Sequence, residues 1–185
     1  MITRLAALAL VLALAACATG PAYPLLTPLT TAKQFGYAET QQGADRYSVT
    51  YITPTALSSA LAGAPQDPDA EAARTLGSDM ATWRAAQLAA AGGFAGFHLS
   101  DRQADVTFFP DPLDVAFPPP FWGPGWWRAR QPLWQQGGPW LPPRLLVSAK
   151  VTVEVRLLHA PGEDDLVAAD TMARLEKAYP GGDAK

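Results

Sequence analysis

His98 is the side chain with the clearest potential for acid–base chemistry, because Asp101 and Asp105 follow it closely in the sequence. A histidine beside carboxylates can act as a general base or supply half of a metal site. In a strand, however, His98 faces the opposite side from Phe97 and Leu99, so we expect it to point to solvent. With no activated nucleophile nearby, a hydrolase that uses Asp101 or Asp105 is a minor alternative. We predict a protein that is not an enzyme and needs no cofactor or metal.

Cys17 is the only cysteine in the chain, and the residues before it are ordered like a bacterial lipoprotein signal. Arg4 makes a short basic start, and residues 5–13 form an apolar run that is too short to span a bilayer. Leu14-Ala15-Ala16-Cys17 then resembles a lipobox. The resemblance implies cleavage of residues 1–16, transfer of diacylglycerol to the Cys17 thiol and acylation of the new amino group. The alternative is an ordinary secretory signal.

The residues after Cys17 bear on the location and organisation of the chain. Ala18 stands where an Asp would retain a lipoprotein in the inner membrane of enteric bacteria, which favours an outer-membrane lipoprotein that faces the periplasm. Residues 17–34 contain prolines and show no helical or strand period, so we predict that they form a tether. A single domain is predicted over residues 35–180, with an insertion at 110–144.

The insertion has an unusual composition. Residues 110–143 hold ten of the 18 prolines and five of the six tryptophans. Tryptophan faces are suited to stacking on sugar rings, docking on a protein or lying in a membrane interface. Alternatively, they fold back over an open face of the domain. The candidate contact residues are Trp122, Trp126, Trp127, Trp134 and Trp140, and Arg128, Arg130 and Arg144 are candidates for contacts with anionic lipid or glycan.

Arg84 and Gln87 are neighbours on a predicted helix, because they are three residues apart. Leu76, Met80 and Trp83 define the apolar stripe of this helix, with Gln87 on the stripe and Arg84 at its border. Polar groups near a core must be paired, so we expect Arg84 to hydrogen-bond Gln87 or a sheet carbonyl. A ligand-binding arginine is the alternative.

Periodicity places these residues on a small set of elements. Residues 46–52 and 147–157 alternate as strands, and the second should have one face in water. Strands at 94–99 and 104–109 are separated by a spacer of hairpin length. A helix is predicted from an Asp67 N-cap to Ala91, with Gly77 as a weak point at which it could split, and a second helix over 166–179.

The order of these elements predicts an α+β fold. We expect a small antiparallel sheet with one face covered by one long and one short helix, plus the Pro/Trp-rich insertion.

Composition excludes several function classes. The formal net charge is −3 with no basic block, which argues against nucleic-acid binding. One Cys and two His exclude an internal disulfide and an ordinary Cys/His zinc site.

The chain also resembles a family of uncharacterised bacterial lipoproteins, the CC0125/CC1285 family. The matching residues are Gly36-Tyr37-Ala38-Glu39, Arg46-Tyr47-Ser48-Val49-Thr50-Tyr51, Arg84-Ala85-Ala86-Gln87-Leu88, Gly93-Phe94 and Phe97. The chain departs from the family pattern at Gln87, where a Glu is usual, and at Pro54, where a Gly-Asn turn is usual. The resemblance implies a fold and a location but no catalytic residues.

These features together predict a membrane-anchored periplasmic lipoprotein with a structural or interaction role in the cell envelope. Its partners would be the membrane, through the lipid anchor, and an envelope protein or a glycan. The alternative is a glycan- or lipid-binding module that uses the tryptophans.

Overall fold

The structure is a computed structural model that describes residues 24–30, 34–58, 67–111 and 144–182. The strands in these ranges are β1 (Gly36–Gln41), β2 (Arg46–Ile52), β3 (Ala56–Ser58), β4 (Gly96–Pro110), β5 (Leu145–Leu158) and β6 (Leu166–Val167). The helices are α1 (Pro68–Ala91) and α2 (Ala168–Ala178). The predicted α+β fold is confirmed, with one long and one short helix.

The described strands form one six-stranded antiparallel sheet. Its order is β1-β2-β5-β4-β6, and β3 pairs with one end of β5. Strand β5 lies at the centre, and its side chains alternate between a buried face under the helices and an outer face. Lys150 and Arg156 on the outer face are exposed, as predicted. Ser148 on the same face is instead buried, because its hydroxyl donates to the Thr53 carbonyl at 3.0 Å.

Helix α1 follows the predicted bounds. The Asp67 carboxylate accepts a hydrogen bond from the Asp69 backbone N–H at 2.9 Å, Pro68 begins the first turn and Gly92 ends the helix. The split considered at Gly77 does not occur, because the helix is continuous from Pro68 to Ala91. A Cβ at this position would lie 2.7 Å from Cγ2 of Val151, so the glycine lets an unbroken α1 approach β5 closely.

The predicted hairpin of strands 94–99 and 104–109 is also wrong. Both halves belong to the single strand β4, which pairs with β5 along its whole length. Central strand β5 is 14 residues long, enough to pair with both halves. The polar spacer is therefore a β-bulge, with a register shift between Ser100 and Gln103 and a positive φ of 48° at Asp101.

The predicted tether does not extend through residues 24–30. Leu25 and Leu26 are buried in the core, with 6% and 2% of their surface exposed. The Leu25 carbonyl accepts from the Tyr51 hydroxyl at 2.8 Å, and the Leu26 N–H donates to the Gly182 carbonyl at 2.7 Å. Burial of two leucines, with their backbone groups paired, fixes a segment whose prolines are typical of a linker.

Helix α2 covers only part of the sheet. Its first residue, Ala168, follows β6 and donates its N–H to the Ala95 carbonyl at 3.0 Å, and Tyr179, just after the helix, reaches Asp79 of α1. Helix α2 therefore flanks α1 from Asp79 to its C-terminal end. Within the described ranges, neither helix has the length and apolar character needed to cross a bilayer.

Candidate functional site

A groove of about 330 Å³ lies between the first half of α1 and strand β4. We call it the α1–β4 groove. Its lining residues are Glu71, Arg74, Thr75, Ser78 and Asp79 from α1, Arg102 and Ala104 from β4, and Val151 from β5. The sequence shows the five α1 residues at helical spacing, but a polar stripe of this kind is equally typical of a solvated helix face. Only the structure shows that the stripe forms a wall.

The β-bulge of β4 places Arg102 in this groove. Ser100 and Gln103 lie opposite Glu154 and Thr152, which are both on the outer face of the sheet. Between them, Asp101 and Arg102 stand where β5 has only Val153, so one extra residue interrupts the strict alternation of side chains and Arg102 reaches the helix face. A bulge of this kind often redirects a side chain at a functional site. Arg102 was not identified from the sequence, because residues 100–103 have the composition of a turn.

The two arginines of the groove differ in whether they form an ion pair. Arg74 pairs with Glu71 at 3.0 Å within α1. Arg102 forms no hydrogen bond or ion pair with any residue in the described part of the chain. The groove therefore presents one exposed guanidinium with no ion pair in the described part of the chain, on a lining that also carries the carboxylates of Glu71 and Asp79.

Asp79, one of the lining residues, accepts a hydrogen bond from the Tyr179 hydroxyl at its Oδ2, at 2.7 Å. Burial, followed by the hydrogen bond to Asp79, raises the pKa of Tyr179 to about 12. The phenol thus remains a neutral donor through the physiological pH range and holds the Asp79 carboxylate in place.

Arg84 lies on another side of α1 and connects the helix to β1. Its Nε and Nη2 donate to the two carboxylate oxygens of Glu39 at 2.7 and 3.2 Å. Its Nη1 donates to Gln87 Oε1 at 2.9 Å, and its guanidinium carbon lies 4.3 Å from the centre of the Tyr37 ring. The expected Arg84–Gln87 hydrogen bond is therefore present. Glu39 was missed as a partner because strand β1 was not predicted. This arrangement uses the guanidinium to join helix and sheet.

His98 is only half exposed, and its acidic partner is neither Asp101 nor Asp105. Its Nδ1 lies 2.9 Å from Oδ1 of Asp165, in the turn before β6. The Gly162 N–H, which donates to Asp165 Oδ2 at 2.8 Å, and then His98 lower the pKa of Asp165. Asp101 lies at the bulge, and Asp105 lies opposite Lys150. The fold therefore pairs His98 with a residue that is distant in sequence.

Of the remaining candidate residues, the second histidine of the chain, His159, and Arg144 lie in the described ranges, whereas the others do not. His159 is exposed and stacks on Phe94, with ring centres 4.4 Å apart. Arg144 lies 3.7 Å from the buried carboxylate of Asp111, where β4 and β5 end beside the predicted insertion. Cys17, Arg128, Arg130 and the candidate residues Trp122, Trp126, Trp127, Trp134 and Trp140 lie outside the described residues.

In the ranges that the structure describes, no group of three His, Cys, Asp or Glu side chains is placed to hold a metal ion. Comparison of the chain with family models, with curated proteins and with solved structures gives no match.

Proposed function

We propose that the protein is a lipid-anchored lipoprotein of the bacterial outer membrane, facing the periplasm, with a non-enzymatic interaction role in the cell envelope. The observation that carries this proposal is the sequence Leu14-Ala15-Ala16-Cys17 at the end of a basic start and a short apolar run. A thioether-linked diacylglycerol and an N-acyl chain on Cys17 would together give stable anchoring, which a single chain does not.

The described domain supports the interaction part of the proposal through its uncovered surfaces. Among the described residues, no helix packs on the outer face of the sheet, where Leu57 and Phe109, both opposite Leu146, are 55% and 41% exposed. The other face has the α1–β4 groove. Both faces of the described sheet thus offer surface to which a partner could bind.

Metabolic labelling with a palmitate analogue tests the anchor. The wild-type chain should incorporate the label and sediment with outer membranes, whereas Cys17→Ser should do neither. Ala18→Ser is the matched control, since it changes a neighbouring residue and leaves the thiol intact. An unlabelled wild-type chain would refute lipidation.

Ala18→Asp tests which membrane holds the protein. This variant should move from the outer to the inner membrane fraction while keeping its label. A wild-type protein already in the inner membrane fraction would contradict the outer-membrane assignment alone.

A second candidate function is glycan or lipid binding by the Trp-rich segment, which the concentration of five tryptophans in residues 110–143 favours. Trp83, buried at 3% exposure in the domain, supplies a constant background. Cell-wall fragments or lipid vesicles should shift the fluorescence of the full chain but not of a variant that lacks residues 117–140. Equal responses, or none, would refute this function.

A further inference from the structure

We propose that the α1–β4 groove binds an extended peptide segment of a partner protein, which adds to the free edge of β4 and places a carboxylate against Arg102. This inference deepens the interaction role proposed above. It depends on the edge of β4, the side chains on the helix face beside that edge and the exposed guanidinium of Arg102.

The first argument is the unpaired edge of β4. Strand β5 occupies one side of β4 from Gly96 to Pro110, but β6 occupies the other side only at Gly96 and Phe97. From His98 onward, that second edge has no partner among the strands that the structure describes. An unpaired edge presents backbone N–H and C=O groups to which an extended peptide can add as a strand.

The second argument is the surface next to that edge. Ala104, Val106 and Phe108 lie on the helix face of β4, where Ala104 is exposed and the other two are half-buried. On the same face of the same strand, Phe97 is fully buried. Ala104 lines the groove and the other two continue the same face along β4, so alternate side chains of an added strand would lie beside these three on the helix face.

The third argument is charge complementarity. The bulge directs Arg102 into the groove, and Arg102 has no acidic partner in the described part of the chain. Arg74 is already paired with Glu71, and the hydroxyls of Thr75 and Ser78 line the same wall. A guanidinium binds a carboxylate through two parallel hydrogen bonds, so the segment should carry an acidic side chain or a free C-terminal carboxylate at this point.

Selection from a display library of random eight-residue peptides tests the proposal. The target is the full-length chain purified in detergent. Enriched peptides should share one acid at a fixed position. Their affinity should fall about tenfold to a hundredfold in Arg102→Glu, because a charge-assisted hydrogen bond is lost. Arg156→Glu makes the same charge change on the outer face and should leave binding intact. Amidation of the peptide C-terminus separates a terminal carboxylate from a side-chain one.

Two further measurements test the geometry. Ala104→Trp should fill the groove and abolish binding while the thermal transition of the domain is retained. In the wild-type chain, binding should slow amide exchange in residues 103–109. Unchanged exchange there would overturn the strand addition, and equal binding by Arg102→Glu would overturn the role of Arg102.

Other occupants of the groove give distinct results, each of which overturns the proposal. A second copy would appear as a homodimer that Arg102→Glu dissociates. Occupation by the chain itself would appear as peptide binding only after residues 112–143 are deleted. If the selection enriches no peptide, the proposal is also overturned. Cys17→Ser should bind the selected peptides as the wild type does, so failure of the anchor and failure of the groove are distinguishable.

Discussion

The two halves of strand β4 have opposite surroundings on the same face of the sheet. In the first half, Phe97 is completely buried under the helices, and β6 pairs beside it. In the second half, Ala104 is exposed and Phe108 is half-buried, because α2 ends at the level of Asp79 and leaves the start of α1 without a helical neighbour in the described part of the chain. The covered half thus provides the core, and the open half provides the surface.

The largest expected effect is a loss of stability that differs between substitutions in the two halves of β4. Phe97→Ala should destabilise the domain by about 3–5 kcal/mol, because it empties a fully enclosed site. Phe108→Ala should cost less than about 2 kcal/mol, because it removes less buried apolar surface. Urea denaturation measures both, and Phe97→Leu serves if the alanine variant does not fold. Similar losses at the two positions would show that the halves do not differ in packing.

Gly77 marks a close approach of α1 to the sheet, next to Val151 of β5. Gly77→Ala should cost about 1–2 kcal/mol, since the clash with Val151 outweighs the better helix propensity of alanine. The same substitution in a Val151→Ala background should cost clearly less. Additive effects in this double-mutant cycle would mean that the Val151 contact does not determine the outcome.

The two arginine ion pairs of α1 provide a comparison of polar contacts. Arg84→Met should cost about 1–2 kcal/mol, because the guanidinium is 21% exposed and bonds both carboxylate oxygens of Glu39. Arg74→Met should cost less than about 0.5 kcal/mol, because its partner Glu71 is 70% exposed. Thermal unfolding of both variants checks the difference. Equal losses of stability would show that the Arg84–Glu39 pair between helix and sheet contributes no more than the exposed Arg74–Glu71 pair.

The smallest effect concerns Tyr179, which lies just after α2 and bonds Asp79 of α1. Tyr179→Phe should cost less than about 1 kcal/mol at neutral pH, through loss of the bond to Asp79. The folded state raises the pKa of Tyr179 from 10.0 to about 12, so its contribution is fully present below pH 10 and is lost as the pH rises towards 12. The difference in Tm between the two proteins should therefore shrink across that interval. A constant difference would contradict the raised pKa.

The local signals of the sequence predict the bounds of α1 and the two faces of β5. Asp67, Pro68 and Gly92 bound α1 because N-capping and helix termination depend on adjacent residues. The alternation in 147–157 likewise reports one buried and one wet face of β5. Helix α1 and strands β2 and β5 could therefore be placed from the sequence, whereas the second helix, predicted over 166–179, begins only at Ala168, after β6.

The errors arise where the outcome depends on residues distant in sequence. Residues 100–103 have the composition of a turn, but a 14-residue partner strand converts them into a bulge. Glu39 is the partner of Arg84 because β1 brings it next to α1, and the sequence did not predict β1. The α1–β4 groove is formed by residues of three elements, α1, β4 and β5. Because its parts are 71–79, 102–104 and 151, no local pattern contains the site.

The burial of Leu25 and Leu26 has a mechanical consequence. Pro24 lies seven positions after Cys17, and seven extended residues reach at most about 25 Å. If Cys17 carries the lipid as proposed, Pro24 cannot move farther than that from the bilayer surface. A pull on the anchor would act first on the two buried leucines and on the hydrogen bonds that Leu25 and Leu26 make with Tyr51 and Gly182. The domain would search only a thin layer next to the membrane, at a correspondingly high effective concentration for partners in that layer.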